Sequence, residues 1–149
     1  HRLTLEIMTN YAKLLMNQHQ LTEAEKLQRR ILGIRRQKFG RQHQDYFLDL
    51  LQLACTLGCR GEHEEAVKLY REAVSGLHRK LGDGHIKTLT AKHNLALSLQ
   101  FQGKLKEAIE LWRQILVVEQ ETQRPSPLNT LRCLNEALTE AQKLNEADV

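Results

Sequence analysis

The chain has 149 residues, enough for one domain with a real core. Charged residues make up 27% and aromatics 5%, with a formal charge of +4 and only two prolines, Pro125 and Pro127. That mix excludes a disordered chain and an internal linker, and the basic excess is too slight to imply nucleic acid by itself. The longest apolar run, Ile115 to Val118, is far too short to span a membrane, and neither a signal-peptide pattern nor an Asn-x-Ser/Thr sequon is present.

Leu, Ala, Glu, Gln, Lys and Arg dominate, all good helix formers, so the expected class is all-α. Residues 3–18 carry Ile7, Met8, Tyr11, Ala12, Leu14 and Leu15 at helical spacing. His19-Gln20 makes a join, and Thr22-x-x-Glu25 reads as a capping box opening a second helix that runs through Leu27, Ile31, Leu32 and Ile34 to about Phe39. Gly40 supplies the left-handed residue that ends it. A third helix carries Phe47, Leu50, Leu53, Ala54 and Leu57; Gly61 forms the join; a fourth carries Ala66, Leu69, Tyr70, Ala73, Val74 and Leu77 and ends at Gly82. Leu89, Leu95, Ala96 and Leu99 precede Gly103, and Leu105, Ala108, Leu111, Trp112, Ile115 and Leu116 follow it. Joins this short force neighbouring helices antiparallel. Ser126-Pro127 reads as N-cap and first residue of a seventh helix, with Leu131, Leu134, Leu138 and Ala141 on one side, a single apolar face that suits a terminal cap.

These elements repeat every 42 residues without a gap. His1, His43 and His85 coincide, as do Ala12, Ala54 and Ala96, Leu15, Leu57 and Leu99, Glu23-Ala24, Glu65-Ala66 and Glu107-Ala108, and Leu27, Leu69 and Leu111. Such a period marks a stacked array, because one unit cannot bury its apolar face alone. The expected units are 1–42, 43–84 and 85–126, followed by a capping helix at 127–145. The chain has no initiator Met and starts at a repeat boundary, so it reads as a fragment of a longer array.

Asn94-Leu95-Ala96, Leu99, Gly103, Leu105, Glu107-Ala108 and the aromatic Trp112 resemble the tetratricopeptide repeat. The usual repeat is 34 residues; the 42-residue period and the Gly-x-x-His turn (Gly40 to His43, Gly82 to His85) resemble the kinesin light chain type. The first unit departs from the pattern, with His19 at the join glycine and Gln28 at the aromatic. The resemblance implies a right-handed superhelical α-solenoid of antiparallel helix pairs, about seven helices in all. It also implies a scaffold for protein–protein interaction that takes a short peptide segment of a partner in its concave groove. Similar arrays form the sensor regions of NACHT or NB-ARC signalling proteins, so a structural or regulatory array that self-associates, or packs on its parent protein, is the alternative.

In this family the first helices of successive units line the groove. The matching positions here include Asn10 and Lys13; Leu48, Leu51, Gln52 and Cys55; His93, Asn94, Leu97 and Phe101; and Arg132 and Asn135. Asn10, Gln52 and Asn94 share one register, and an amide both donates to and accepts from a peptide backbone. Leu48, Leu51, Cys55, Leu97 and Phe101 form a second apolar set, read either as a groove floor or as completing the inter-unit core. Paired Lys/Arg of the kind that clamps a C-terminal carboxylate is missing from these positions. A separate surplus, Leu3, Ile7 and Leu14 beside Tyr11, reads as a face covered by neighbouring repeats or by a second copy in a homodimer, or as ordinary packing.

Seven bases without an acid lie between Lys26 and Gln44, and read as a solvated helix face because no aromatics interleave for base stacking. His1, His43 and His85 sit on successive units, roughly 10 Å apart, too far to converge on a metal, and read as turn residues. Cys55, Cys59 and Cys133 read as free thiols in a reducing, cytoplasmic compartment. No cofactor, metal site or catalytic motif is expected, and the chain reads as non-enzymatic.

Overall fold

The computed structural model describes residues 2–122 and 129–147. Over these the chain forms seven helices and no strand: α1 (Arg2–Asn17), α2 (Leu21–Phe39), α3 (Gln44–Cys59), α4 (His63–Leu81), α5 (Ile86–Phe101), α6 (Leu105–Glu121) and α7 (Thr130–Ala147). Each packs on the next in sequence, and α3 also touches α5, the arrangement of an α-solenoid. Leu21, His63 and Leu105 open α2, α4 and α6 at intervals of 42 residues.

Two kinds of turn alternate. Within each helix pair the amides of Gln20, Glu62 and Lys104 donate to the carbonyls of Leu15, Leu57 and Leu99, each at 2.9 Å. That bond closes the first helix and aims the chain straight into the second. The residue inside the turn must take a positive φ, supplied by Gly61 and Gly103 and, in the first pair, by His19 at 58°. Because backbone bonds do this work, the expected Thr22–Glu25 capping box does not form: α2 begins at Leu21, Gln20 makes no side-chain cap, and Glu25 instead pairs with Arg29 and Arg60. Between pairs the chain turns at Gly40 and Gly82, whose φ near 80° is joined to a ψ of 165° and 169°. This is not the left-handed helical conformation expected from sequence but an extended one that is essentially glycine-only. The repeated histidines then cap the next helices: Nδ1 of His43 accepts from the Asp45 amide and Nδ1 of His85 from the Lys87 amide.

Ala24, Ala66 and Ala108 are wholly buried, and so are Leu57, Leu99 and Trp112. Small residues at one register let helices approach; large ones at another fill the space between units. One core runs from Tyr46 to Ala137, while Leu5, Ala12 and Ile31 form a small separate one at the start of the array. On α1 the buried side chains are Leu5, Ala12 and Leu15, whereas Ile7, Tyr11 and Leu14 face out. The expected Ser126 cap and Pro127 fall outside the described residues. Of the apolar face expected on α7, Leu134 is buried with Cys133 and Ala137 against α6, but Leu131 and Leu138 are exposed.

Volumes are matched differently in each pair. Phe47 faces Gly76 in the second pair, and the same registers hold Leu5 and Ile34 in the first and Leu89 and Val118 in the third. An added Cβ at Gly76 would lie 2.2 Å from the Phe47 ring, so this mid-helix glycine makes room for the larger neighbour. Farther along, the His93 imidazole is buried with its ring 6.5 Å from that of Trp112, in an edge-on contact. Burial holds it below the usual imidazole range, with Glu119 pulling the other way.

Gly76→Ala should therefore cost about 1–3 kcal/mol in denaturant unfolding despite alanine's better helix propensity, with most of the loss recovered on adding Phe47→Leu. Equal destabilisation by the single and double variants would refute the volume match. Because the unfolded imidazole takes up its proton from about pH 6.5 and the folded one only lower, stability is intact above that pH. It declines as the pH falls through the folded value. His93→Leu should flatten that part of a Tm–pH curve, whereas an unchanged slope would mean the imidazole contributes nothing.

Candidate functional site

The first helices α1, α3 and α5 carry the residues expected to line a groove, and the structure separates them into groups. Asn10, Lys13, Leu48, Leu51 and Gln52 share one cavity of about 450 Å³ with Glu6, Thr9, Asp45 and Lys87. Helical spacing accounts for this: 6, 9, 10 and 13 follow one stripe on α1, and 45, 48, 49 and 52 follow another on α3. Leu51 is buried and belongs to the core, while Leu48 is half-buried against it at the cavity wall.

The cavity's charges are unevenly satisfied. Arg35 reaches in from α2, its Nε donating to Asp49 and its Nη1 to Asp45 at 2.9 Å. Burial pushes the Asp49 carboxyl above its ordinary range, with the Arg35 guanidinium opposing. Both aspartates are thus engaged. Lys13 and Lys87 are exposed and make no ion pair with any described residue. Sequence reasoning placed Arg35 in a solvated basic stretch and did not see it here; its only signal was the return of Asp45 and Asp49 at spacing four on the next helix.

The remaining expected residues lie elsewhere. Arg132 and Asn135 line an open depression on α7 with Glu136, Thr139, Glu140 and Lys143. Cys55, Asn94 and Leu97 are half-buried on α3 and α5, with burial pushing the Cys55 thiol up. His93 turns inward to Trp112. Phe101, 72% exposed, stacks on the His63 ring with centroids 4.8 Å apart and an interplanar angle of 11°. The basic stretch is partly neutralised: Lys26 pairs with Glu23, Arg29 with Glu25 and Glu65, and Arg35 with the two aspartates. Among the described residues no cluster of three or more His, Cys, Asp or Glu is placed to hold a metal, and no helix is long and apolar enough to cross a membrane.

Residues 3–78 match one tetratricopeptide repeat family and residues 88–120 another. The crystal structure of a kinesin light chain-like protein from Podosopora anserina, with nearly identical TPR-like repeats, superposes with a TM-score of 0.84 at 25% identity. That match covers 99% of this chain and 71% of the other. BtubC (BKLC) from P. vanneervenii matches with a TM-score of 0.84 at 16% identity over 97% of this chain and 59% of its own. The Sgt2 TPR domain from Aspergillus fumigatus gives 0.71 at 17% identity over 96% and 82%. At such low identity the last two speak for the fold alone. No curated protein sequence matches the chain. Tetratricopeptide repeats are in general protein-interaction modules on a non-enzymatic scaffold. With a family match over half its length, helix pairs repeating every 42 residues and a superposition that takes in nearly all of it, this chain belongs to the tetratricopeptide repeat family.

Proposed function

We propose that the chain binds a short extended segment of a partner protein in the cavity between α1 and α3. The observation that carries this reading is the set of groups gathered there: two amides, Asn10 and Gln52, a half-buried Leu48, and two lysines that make no ion pair with any described residue. Amides on one register suit the alternating donors and acceptors of an extended backbone. Leu48 offers an anchor side chain a partly desolvated surface, worth roughly 1.5–3 kcal/mol if fully buried. The cavity's formal charges balance, with Glu6, Asp45 and Asp49 against Arg35, Lys13 and Lys87, but Arg35 takes both aspartates and leaves the two lysines outside any ion pair among the described residues, so an acidic side chain next to the apolar anchor has an ammonium to meet.

The preference is for an internal acidic residue rather than a terminal carboxylate. The two lysines come from α1 and α5, on opposite sides of α3, and do not form a clamp from one helix. Arg132 and Asn135, on α7, line a separate depression and are outside this recognition surface.

A peptide array read with the full chain should yield segments pairing Asp or Glu with a large apolar residue. For such a peptide, Lys13→Glu should weaken binding about tenfold or more, and Gln52→Ala about three- to tenfold, by fluorescence anisotropy. Arg113→Glu, on α6 and outside the cavity, should leave it unchanged. Equal binding by all three variants would remove this cavity as the site.

A further inference from the structure

Leu3, Ile7, Tyr11 and Leu14 form one exposed stripe on α1, 68%, 59%, 55% and 48% accessible. The same registers recur on α3 and α5. There Ile7 corresponds to Asp49 and Ala91, Tyr11 to Leu53 and Leu95, and Leu14 to Thr56 and Ser98, and all six of these residues are buried, whereas Leu3 corresponds to the half-buried Asp45 and the exposed Lys87 and lies at the margin. What sets them apart from α1 is the second helix of the preceding pair, α2 against α3 and α4 against α5. At Ile7, Tyr11 and Leu14 the α1 stripe is thus a seat that is filled twice within this molecule.

A second periodic contact extends the same seat. Arg29 of α2 pairs with Glu65 of α4 at 2.9 Å, and Arg71 of α4 pairs with Glu107 of α6 at 2.6 Å. Glu23 holds that register on α2, and it pairs with Lys26 on its own helix, both side chains well exposed. An incoming second helix would bring an arginine to Glu23.

The two occupied seats differ chemically, and the difference says which kind of helix fits. Arg35 of α2 meets a carboxylate, Asp49, at the register of Ile7. At the next interface Leu77 of α4 stands at Arg35's register, fully buried, with Ala91 at that of Asp49. An apolar Ile7 matches the second case, since a guanidinium brought against it would be buried without a partner.

We propose that the outer face of α1, with Glu23 at its edge, seats the second helix of one further helix pair. Its occupant is an amphipathic helix of the α4 kind, apolar at the register of Leu77 and carrying an arginine at the register of Arg71. A second copy packing α1 on α1 is the weaker fit. Four side chains of one helix make a small patch beside the roughly 1,200 Å² or more buried in stable interfaces, and such a pairing leaves Glu23 unanswered. This seat is independent of the peptide cavity, so either assignment can fail without the other.

The test uses the full chain and a fluorescent peptide of α4 sequence, His63–Leu81, stapled on its outward face so that it is helical in isolation. Saturable binding is expected. It should be at least tenfold weaker to Ile7→Glu or Leu14→Glu, both at exposed positions that leave the fold intact. Glu23→Arg should weaken it several-fold, with recovery when the peptide carries Arg71→Glu. A peptide of α2 sequence, with Arg35 opposite Ile7, should bind less well than the α4 peptide. The proposal is overturned if the α4 peptide does not bind, or if it binds wild type and Ile7→Glu equally. It is also overturned if sedimentation shows a wild-type dimer that Ile7→Glu abolishes, which would give the face to a second copy.

Discussion

A first helix in this fold needs cover on two sides, from its own second helix and from the second helix of the pair before it. An amphipathic helix of four turns has little stability alone and acquires it by burying its stripe against neighbours. The first helices here carry two stripes, and both must be matched. Where both are matched, on α3 and α5, nine residues of each helix are buried. Where one is open, on α1, the buried apolar residues fall to Leu5, Ala12 and Leu15, and the local core separates from the main one. The curved inner wall is a by-product: side chains turned from both partners, such as Asn10 and Gln52, are left to face whatever lies in the cavity.

The interfaces share a register but not a chemistry. Arg35 with Asp49 stands where Leu77 and Ala91 stand one unit later, and where Glu119 and Cys133 stand after that, with Glu119 accepting from the Thr130 hydroxyl at 3.3 Å. A buried ion pair adds little net stability because two charges must be stripped of water, yet mismatching one is costly. Ionic, apolar and polar pairings in succession therefore make each unit a poor substitute for its neighbour. The same individuality appears in volume, with Gly76 yielding to Phe47 where the other pairs use medium-sized residues on both sides.

Most of the architecture was legible in the sequence because periodic constraints leave periodic residues. The Ala24, Ala66 and Ala108 register, the join glycines and the 42-residue spacing point to helix pairs before any coordinate is known. Non-periodic features were not legible. Thr22 resembles a cap because its side chain and spacing are right, but the Gln20–Leu15 backbone bond had already set the helix start. Gly76 looks like a flaw in a helix until Phe47 is placed beside it. Of the residues expected to line a groove, Asn10, Lys13, Leu48, Leu51 and Gln52 border one cavity, whereas Phe101 stacks on His63 and His93 turns to Trp112, and such pairings depend on neighbours in space. The histidines read as turn residues because only their spacing was visible; His43 and His85 turn out to cap helices, which depends on the extended backbone at each.

If cover from both sides is what holds each helix, local stability should follow position in the array rather than composition. Native-state hydrogen exchange resolved by residue measures this directly. The amides of α3, α4 and α5 should exchange slowest, and those of α1 and the second half of α7 fastest, with α2 and α6 between. If α1, with its open stripe, were as protected as α4, the dependence of each helix on two neighbours would be contradicted.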